Sequence, residues 1–118
     1  MLEVETEFRR GIFFIRLKGI LNKKTVNILN DNVTSLVEKN GFKNIVFNVE
    51  NLNYIDIKGI STLFYNYELL RNNHGNLMVC GITNDEVRKK FKNSRLLKYA
   101  NEITDELTAL QLINVWGG

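Results

Sequence analysis

At 118 residues the chain is long enough for one domain with a single core and too short for two. Hydrophobic residues at 44% and charged residues at 25% are ordinary for a globular protein, and no apolar run approaches the length of a bilayer-spanning helix, so neither disorder nor membrane insertion is indicated. The net charge of +3 raises the question of nucleic acid, but the excess is small. Arg88, Lys89, Lys90, Lys92, Arg95 and Lys98 gather beside Glu86 with no aromatics interleaved for base stacking, and they read as a solvated helix face. The lone cysteine, Cys80, rules out an intrachain disulfide and sits in an apolar run as an inert core thiol. The acidic, alternating start Met1 to Glu5 is unlike a secretion signal, and a cytoplasmic location is expected.

In chain order, Leu2, Val4, Thr6 and Phe8 alternate with Glu3, Glu5 and Glu7, the period-two pattern of a half-exposed edge strand. Arg9-Arg10-Gly11 supplies a turn, and Phe13, Ile15 and Leu17 resume the alternation up to Gly19, giving an opening hairpin. Asn22 or Thr25 caps a helix whose apolar positions are Val26, Leu29, Val33, Leu36 and Val37, and Gly41 ends it. Ile45 to Val49 is apolar at nearly every position, as expected of a central strand covered on both faces. A loop then leads into a helix with the stripe Ile60, Leu63, Phe64, Tyr67 and Leu70, stopped at His74-Gly75.

Leu77 to Cys80 is the next strand. Thr83 with Glu86 forms a capping-box signature for a helix that buries Val87 and Phe91, and Leu96, Leu97 and Tyr99 extend the core. Glu102 to Thr104 is a short last strand, followed by a helix capped at Thr104 or Asp105 with Leu107, Leu110 and Ile113 inward. The tail Trp116-Gly117-Gly118 is expected to fray. The order β-β-α-β-α-β-α-β-α, with right-handed crossovers, defines an α/β fold with a mixed sheet in one domain, residues 1–118.

The side chains offer little chemistry. The single histidine, His74, stands at a helix end with no nucleophile arranged beside it, and no metal-ligand spacing occurs, so no metal is expected. Only Gly59 precedes the central helix and no Gly-Lys-Ser pattern follows, which argues against a nucleotide or other cofactor. The residues therefore point away from an enzyme.

The stretch from Val46 to Ile60, with Tyr54-Ile55-Asp56-Ile57-Lys58-Gly59-Ile60 at its centre, followed by Gly75 to Gly81, resembles the STAS domain of bacterial anti-sigma factor antagonists. Gly19-Ile20-Leu21-Asn22 is similar to that family's early Gly-x-Leu-Asp segment, with Asn22 at the aspartate position, and Val87, Phe91, Leu96 and Leu97 fit its third helix. The resemblance implies a STAS-like sheet and a non-catalytic protein-binding module. Its partner would be an anti-sigma factor of the serine-kinase type. In the family the central motif is Asp-Ser-Ser-Gly or Asp-Ser-Thr-Gly, and its second hydroxyl residue accepts phosphate, which adds about two negative charges at a helix N-terminus.

Here Asp56 and Gly59 match, while Ile57 and Lys58 replace both hydroxyl residues and Lys58 stands at the phosphoacceptor position. Lysine cannot take phosphate from such a kinase, so the resemblance implies a docking surface without the usual switch. Lys58 either extends into water or meets a partner, and Asp56 is read as a helix cap. Ser61, Thr62, Tyr65 and Leu69 form a second stripe that could contact another protein or lie under a neighbouring helix. The implied partner-binding set is Asn22, Asp56, Ile57, Lys58, Gly59, Ser61, Thr62 and Tyr65. The alternative is an accessory or scaffold subunit of a membrane transporter or sensory complex, which also needs no phosphosite.

Overall fold

The structure is a computed structural model and describes residues 1–116. Five strands form one sheet in sequential order: β1 (Leu2–Arg9), β2 (Ile12–Leu21), β3 (Asn44–Ile55), β4 (Asn76–Cys80) and β5 (Asn101–Ile103). β1 runs antiparallel to β2 and every later neighbour is parallel, so the sheet is mixed. Helices α1 (Val26–Leu29) and α2 (Ser35–Asn40) are joined by a π turn at Asn30–Thr34, and α3 (Ile57–Asn72) and α4 (Asp85–Ser94) follow. A 3-10 turn (Leu96–Lys98) leads to β5, and α5 (Glu106–Trp116) ends the described chain. The expected element order is observed. Gly117 and Gly118 of the tail lie outside the described residues.

Alternation along β2, β3 and β4 divides the apolar side chains between two faces. Phe13, Ile15, Leu17, Ile45, Phe47, Leu77 and Val79 pack under α1 to α4 with Leu29, Val33, Val37, Leu63, Leu70, Val87 and Phe91. Ile12, Phe14, Val46, Met78, Cys80 and Ile103 face the other way, against Ala109 and the half-buried Leu110, Leu112 and Ile113 of α5. Burial on both faces explains why Ile45, Val46, Phe47 and Val49 are apolar, with Asn48 the one polar residue among them.

The structure corrects several expectations. β3 continues six residues past Val49 and enters α3 through Asp56 alone, with no intervening loop. Polar residues such as Asn51 and Asn53 hide this extension. It is held by pairing with the end of β2, where Gly19, Ile20 and Leu21 align with Leu52, Tyr54 and Ile55 across a register shift. Gly19 therefore lies inside β2 and does not close it.

Asn84 caps α4 in place of Thr83, its Oδ1 accepting from the Glu86 and Val87 amides at 2.9 and 3.1 Å, because Thr83 is held in a turn through its amide bond to the Gly81 carbonyl. Tyr99 is 56% exposed at the rim of the core, edge-on to Phe64. Leu36 and Leu107 are exposed, and Ala109 takes the buried position on α5. Asp105 is the side chain that accepts from the Thr108 amide at the start of α5, at 2.9 Å.

Candidate functional site

The site is built where β2 and β3 end side by side and α3 begins. Asp56 adopts extended backbone as the residue before the helix, and its Oδ1 accepts from the Gly59 amide at 2.9 Å, satisfying one of the unpaired donors of the first turn. Its Oδ2 accepts from the Lys23 amide at 3.1 Å, and its own amide donates to the Leu21 carbonyl at 3.1 Å. One aspartate thus fastens the loop after β2 to the start of α3.

That loop is ordered by its own side chains. Asn22 Oδ1 accepts from the amides of Lys24 and Thr25 at 2.9 and 3.2 Å, an Asx turn, while Thr25 Oγ1 accepts from the Asn22 amide and donates to the Ile20 carbonyl. Thr25, the residue before α1, makes no side-chain cap bond, and the side-chain oxygen of Asn22 is used within its own turn while its backbone carbonyl accepts from the Val26 amide at 2.8 Å. Gly59 is buried against β2: a Cβ there would stand 2.8 Å from the Leu21 carbonyl and 2.8 Å from Ile55 Cγ1. The motif glycine is required by this close approach.

The remaining motif positions divide by exposure. Ile57 is 77% exposed, an apolar side chain in water beside the exposed Lys58. Ser61 is exposed, with its hydroxyl donating to the Ile57 carbonyl at 2.8 Å. Thr62 is largely buried and shows only a small area at the floor of the groove between α3 and the two preceding helices. Tyr65 stays half-exposed and its hydroxyl donates to Glu38 at 2.9 Å, which raises the phenol above its ordinary value. The accessible set is therefore Ile57, Lys58, Ser61 and Tyr65, with Asn22 and Asp56 half-buried behind them.

Two grooves flank this ridge. An open groove of about 600 Å³ separates α3 from α1 and α2, lined by Val26, Asp31, Ser35 and Glu38 opposite Lys58 and Tyr65. A smaller one, about 210 Å³, lies toward α4 among Ile57, Ile60, Lys90, Asn93 and Ser94. Asp31, Glu38, Lys90 and the Lys23 amide were not marked by any sequence motif, because helix packing alone brings them here. Beneath the first groove the buried Asn66 donates to Thr34 Oγ1 and the Thr62 carbonyl at 3.1 and 2.9 Å, tying the π turn to α3.

Chemically the ridge holds an ammonium, a capping carboxylate and an apolar side chain, with no paired base and nucleophile. Among the described residues no group of His, Cys, Asp and Glu is placed to hold a metal ion. His74 is at the far end of α3, and burial pushes the Cys80 thiol up to about 12. Among the described residues no helix is long and apolar enough to cross a membrane.

The profile of the STAS domain family matches residues 3–109, and the chain belongs to that family. It is similar to the anti-sigma F factor antagonist of Paenibacillus polymyxa, with 27% identity over 117 residues, 96% of this chain and 98% of that protein. The fold matches an anti-sigma factor antagonist from Mycobacterium paratuberculosis at a TM-score of 0.85 and 17% identity, over 97% of this chain and 95% of the other. It also matches the phosphorylated form of the Bacillus cell fate determinant SpoIIAA at 0.73 and 21% identity, over 93% of this chain and 99% of the other.

Proposed function

We propose that this STAS domain is a non-catalytic, cytoplasmic binding module of the anti-sigma factor antagonist kind, docking on an anti-sigma factor through the ridge Ile57, Lys58, Ser61 and Tyr65. The observation that carries the reading is Lys58. It stands exposed in the first turn of α3, behind a capped Asp56, at the position where the resemblance places the phosphoacceptor. The full-length similarity to the Paenibacillus polymyxa antagonist supports the same partner class.

An ammonium at a helix N-terminus opposes the positive end of the helix dipole and carries charge opposite to a phosphoserine. Lys58 therefore neither accepts phosphate nor imitates it, and docking is independent of kinase activity toward this chain. Ser61 is not a shifted acceptor, because its hydroxyl is turned back onto the Ile57 carbonyl. Intact-mass analysis after incubation with the cognate kinase and ATP tests this: the mass stays unmodified, and stoichiometric phosphate on Ser61 or Thr62 would sink the unswitched reading. Lys58→Ser restores a hydroxyl at the exposed position and is expected to gain one phosphate.

Loss of the hydroxyl at position 58 also suits a scaffold subunit of a transporter or sensory complex. Copurification with a permease or sensor subunit, in place of a kinase-like ATPase, would favour that second reading.

A further inference from the structure

The end of the sheet remote from the docking ridge is formed by three turns. The β1–β2 turn lies beside the entry to β3, since Phe13 aligns with Ile45, and the entries to β3 and β4 meet where the Asn76 amide donates to the Lys43 carbonyl at 2.6 Å. Segments 8–11, 39–44 and 71–76 thus share one pole. They carry Arg9, Arg10, Lys39, Lys43 and Arg71, all exposed, and no acidic residue. The whole chain has 16 basic and 13 acidic residues, and this pole carries five of the basic ones. Among the described residues none of these five has an ion-pair partner, as is true of every Lys and Arg other than Arg16, Lys18 and Arg88.

Phe8 stands among these charges, 59% exposed, packed at 5.5 Å on Phe42, which in turn stacks on Phe13 at 4.6 Å. Arg10 adds an independent sign. It and Gly11 have φ of 52° and 82°, both positive as in a two-residue type I′ hairpin turn, where Asn-Gly is the preferred pair. The turn holds an arginine where an asparagine would fold more easily, as expected if the charge at this tip is used.

We infer that this pole docks on an anionic lipid surface, with Arg10, Lys39, Lys43 and Arg71 facing the headgroups and Phe8 entering the interface. An exposed aromatic among unpaired cations fits a headgroup and acyl boundary, where each Lys or Arg is worth roughly fivefold in partition. It does not fit single-stranded nucleic acid, which takes a row of stacking aromatics along a groove. The ridge at the start of α3 lies about 21 Å away along the helix, so a bound chain would present its docking site away from the membrane.

Cosedimentation of the full chain with phosphatidylcholine vesicles, with or without about 30% phosphatidylglycerol, tests the assignment. Binding to the anionic vesicles is expected to exceed binding to neutral ones by about tenfold or more and to weaken as salt rises. A triple variant R10N/K43N/R71N should lose most of it, and Phe8→Ser should lower it at every salt concentration. The matched variant K89N/K92N/K98N, which removes equal charge from α4 and the turn after it, should bind as the parent does. Arg10→Asn alone suits the left-handed turn, so its thermal melt holds or rises while binding falls by roughly fivefold. Equal binding to neutral vesicles, or an equal loss in the α4 variant, would overturn the inference. So would tighter binding to a DNA oligonucleotide that ignores Phe8→Ser.

Discussion

Asp56 accepts the Lys23 amide with one carboxylate oxygen, at 3.1 Å, and the Gly59 amide with the other, at 2.9 Å. The loop after β2 and the start of α3 are consequently one unit, and Lys58 is presented on a fixed backbone. Asp56→Ala removes both bonds and is expected to cost about 1–2 kcal/mol in urea unfolding. Asp56→Asn keeps the capping acceptor for Gly59 but sets its NH2 against the Lys23 amide, so it should recover only part of that loss.

Gly59→Ala should destabilise the fold even though alanine is the better helix former by about 1 kcal/mol. The added Cβ meets the Leu21 carbonyl and Ile55 Cγ1 at 2.8 Å, and the backbone carbonyl cannot swing aside. A net loss of about 1–3 kcal/mol is expected from overpacking, read as a lowered denaturant midpoint at unchanged slope.

Arg16 grips Glu106 through two hydrogen bonds, Nε to Oε2 at 2.8 Å and Nη2 to Oε1 at 2.7 Å, and Asn48 adds a third at 2.9 Å. The Arg16 bond holds the Glu106 carboxyl below its ordinary value of 4.5. With the folded-state value depressed, the contribution of this group is complete above the ordinary value and is lost as pH falls through the folded one. Glu106→Gln should therefore weaken the protein near neutral pH and converge on the parent in acid, measured as Tm across a pH series.

Cys80 is 1% exposed and its thiol is pushed up to about 12 by burial, so almost no thiolate is present near neutral pH. Ellman's reagent should leave it untouched in the native protein and titrate one thiol after unfolding in guanidinium chloride. Prompt reaction of the native chain would show that α5 opens far more readily than its packing implies.

Much of this frame was legible because local pattern and tertiary placement agree. The apolar run Ile45 to Val49 is buried on both faces, and Asp56 stands before a helical stripe and caps it. The extension of β3 was hidden because Asn51, Asn53 and Tyr54 have no strand pattern of their own and depend on pairing with β2. The second stripe on α3 was open to two outcomes, and both occur. Thr62 is largely covered, while Ser61 and Tyr65 stay exposed along the same groove facing the π turn and α2. The Tyr65–Glu38 bond and the basic turns at the far pole join residues distant in the chain, which no local spacing marks.

On the proposed reading the first turn of α3 is the docking point, and Lys58 contributes to it with a fixed charge. Titration calorimetry of the cognate anti-sigma factor against the parent chain and Lys58→Glu tests it most directly. An affinity lowered by about tenfold or more for Lys58→Glu, with an unchanged thermal melt, is the predicted result. Equal affinity for both proteins would contradict it and place the docking point elsewhere on the domain.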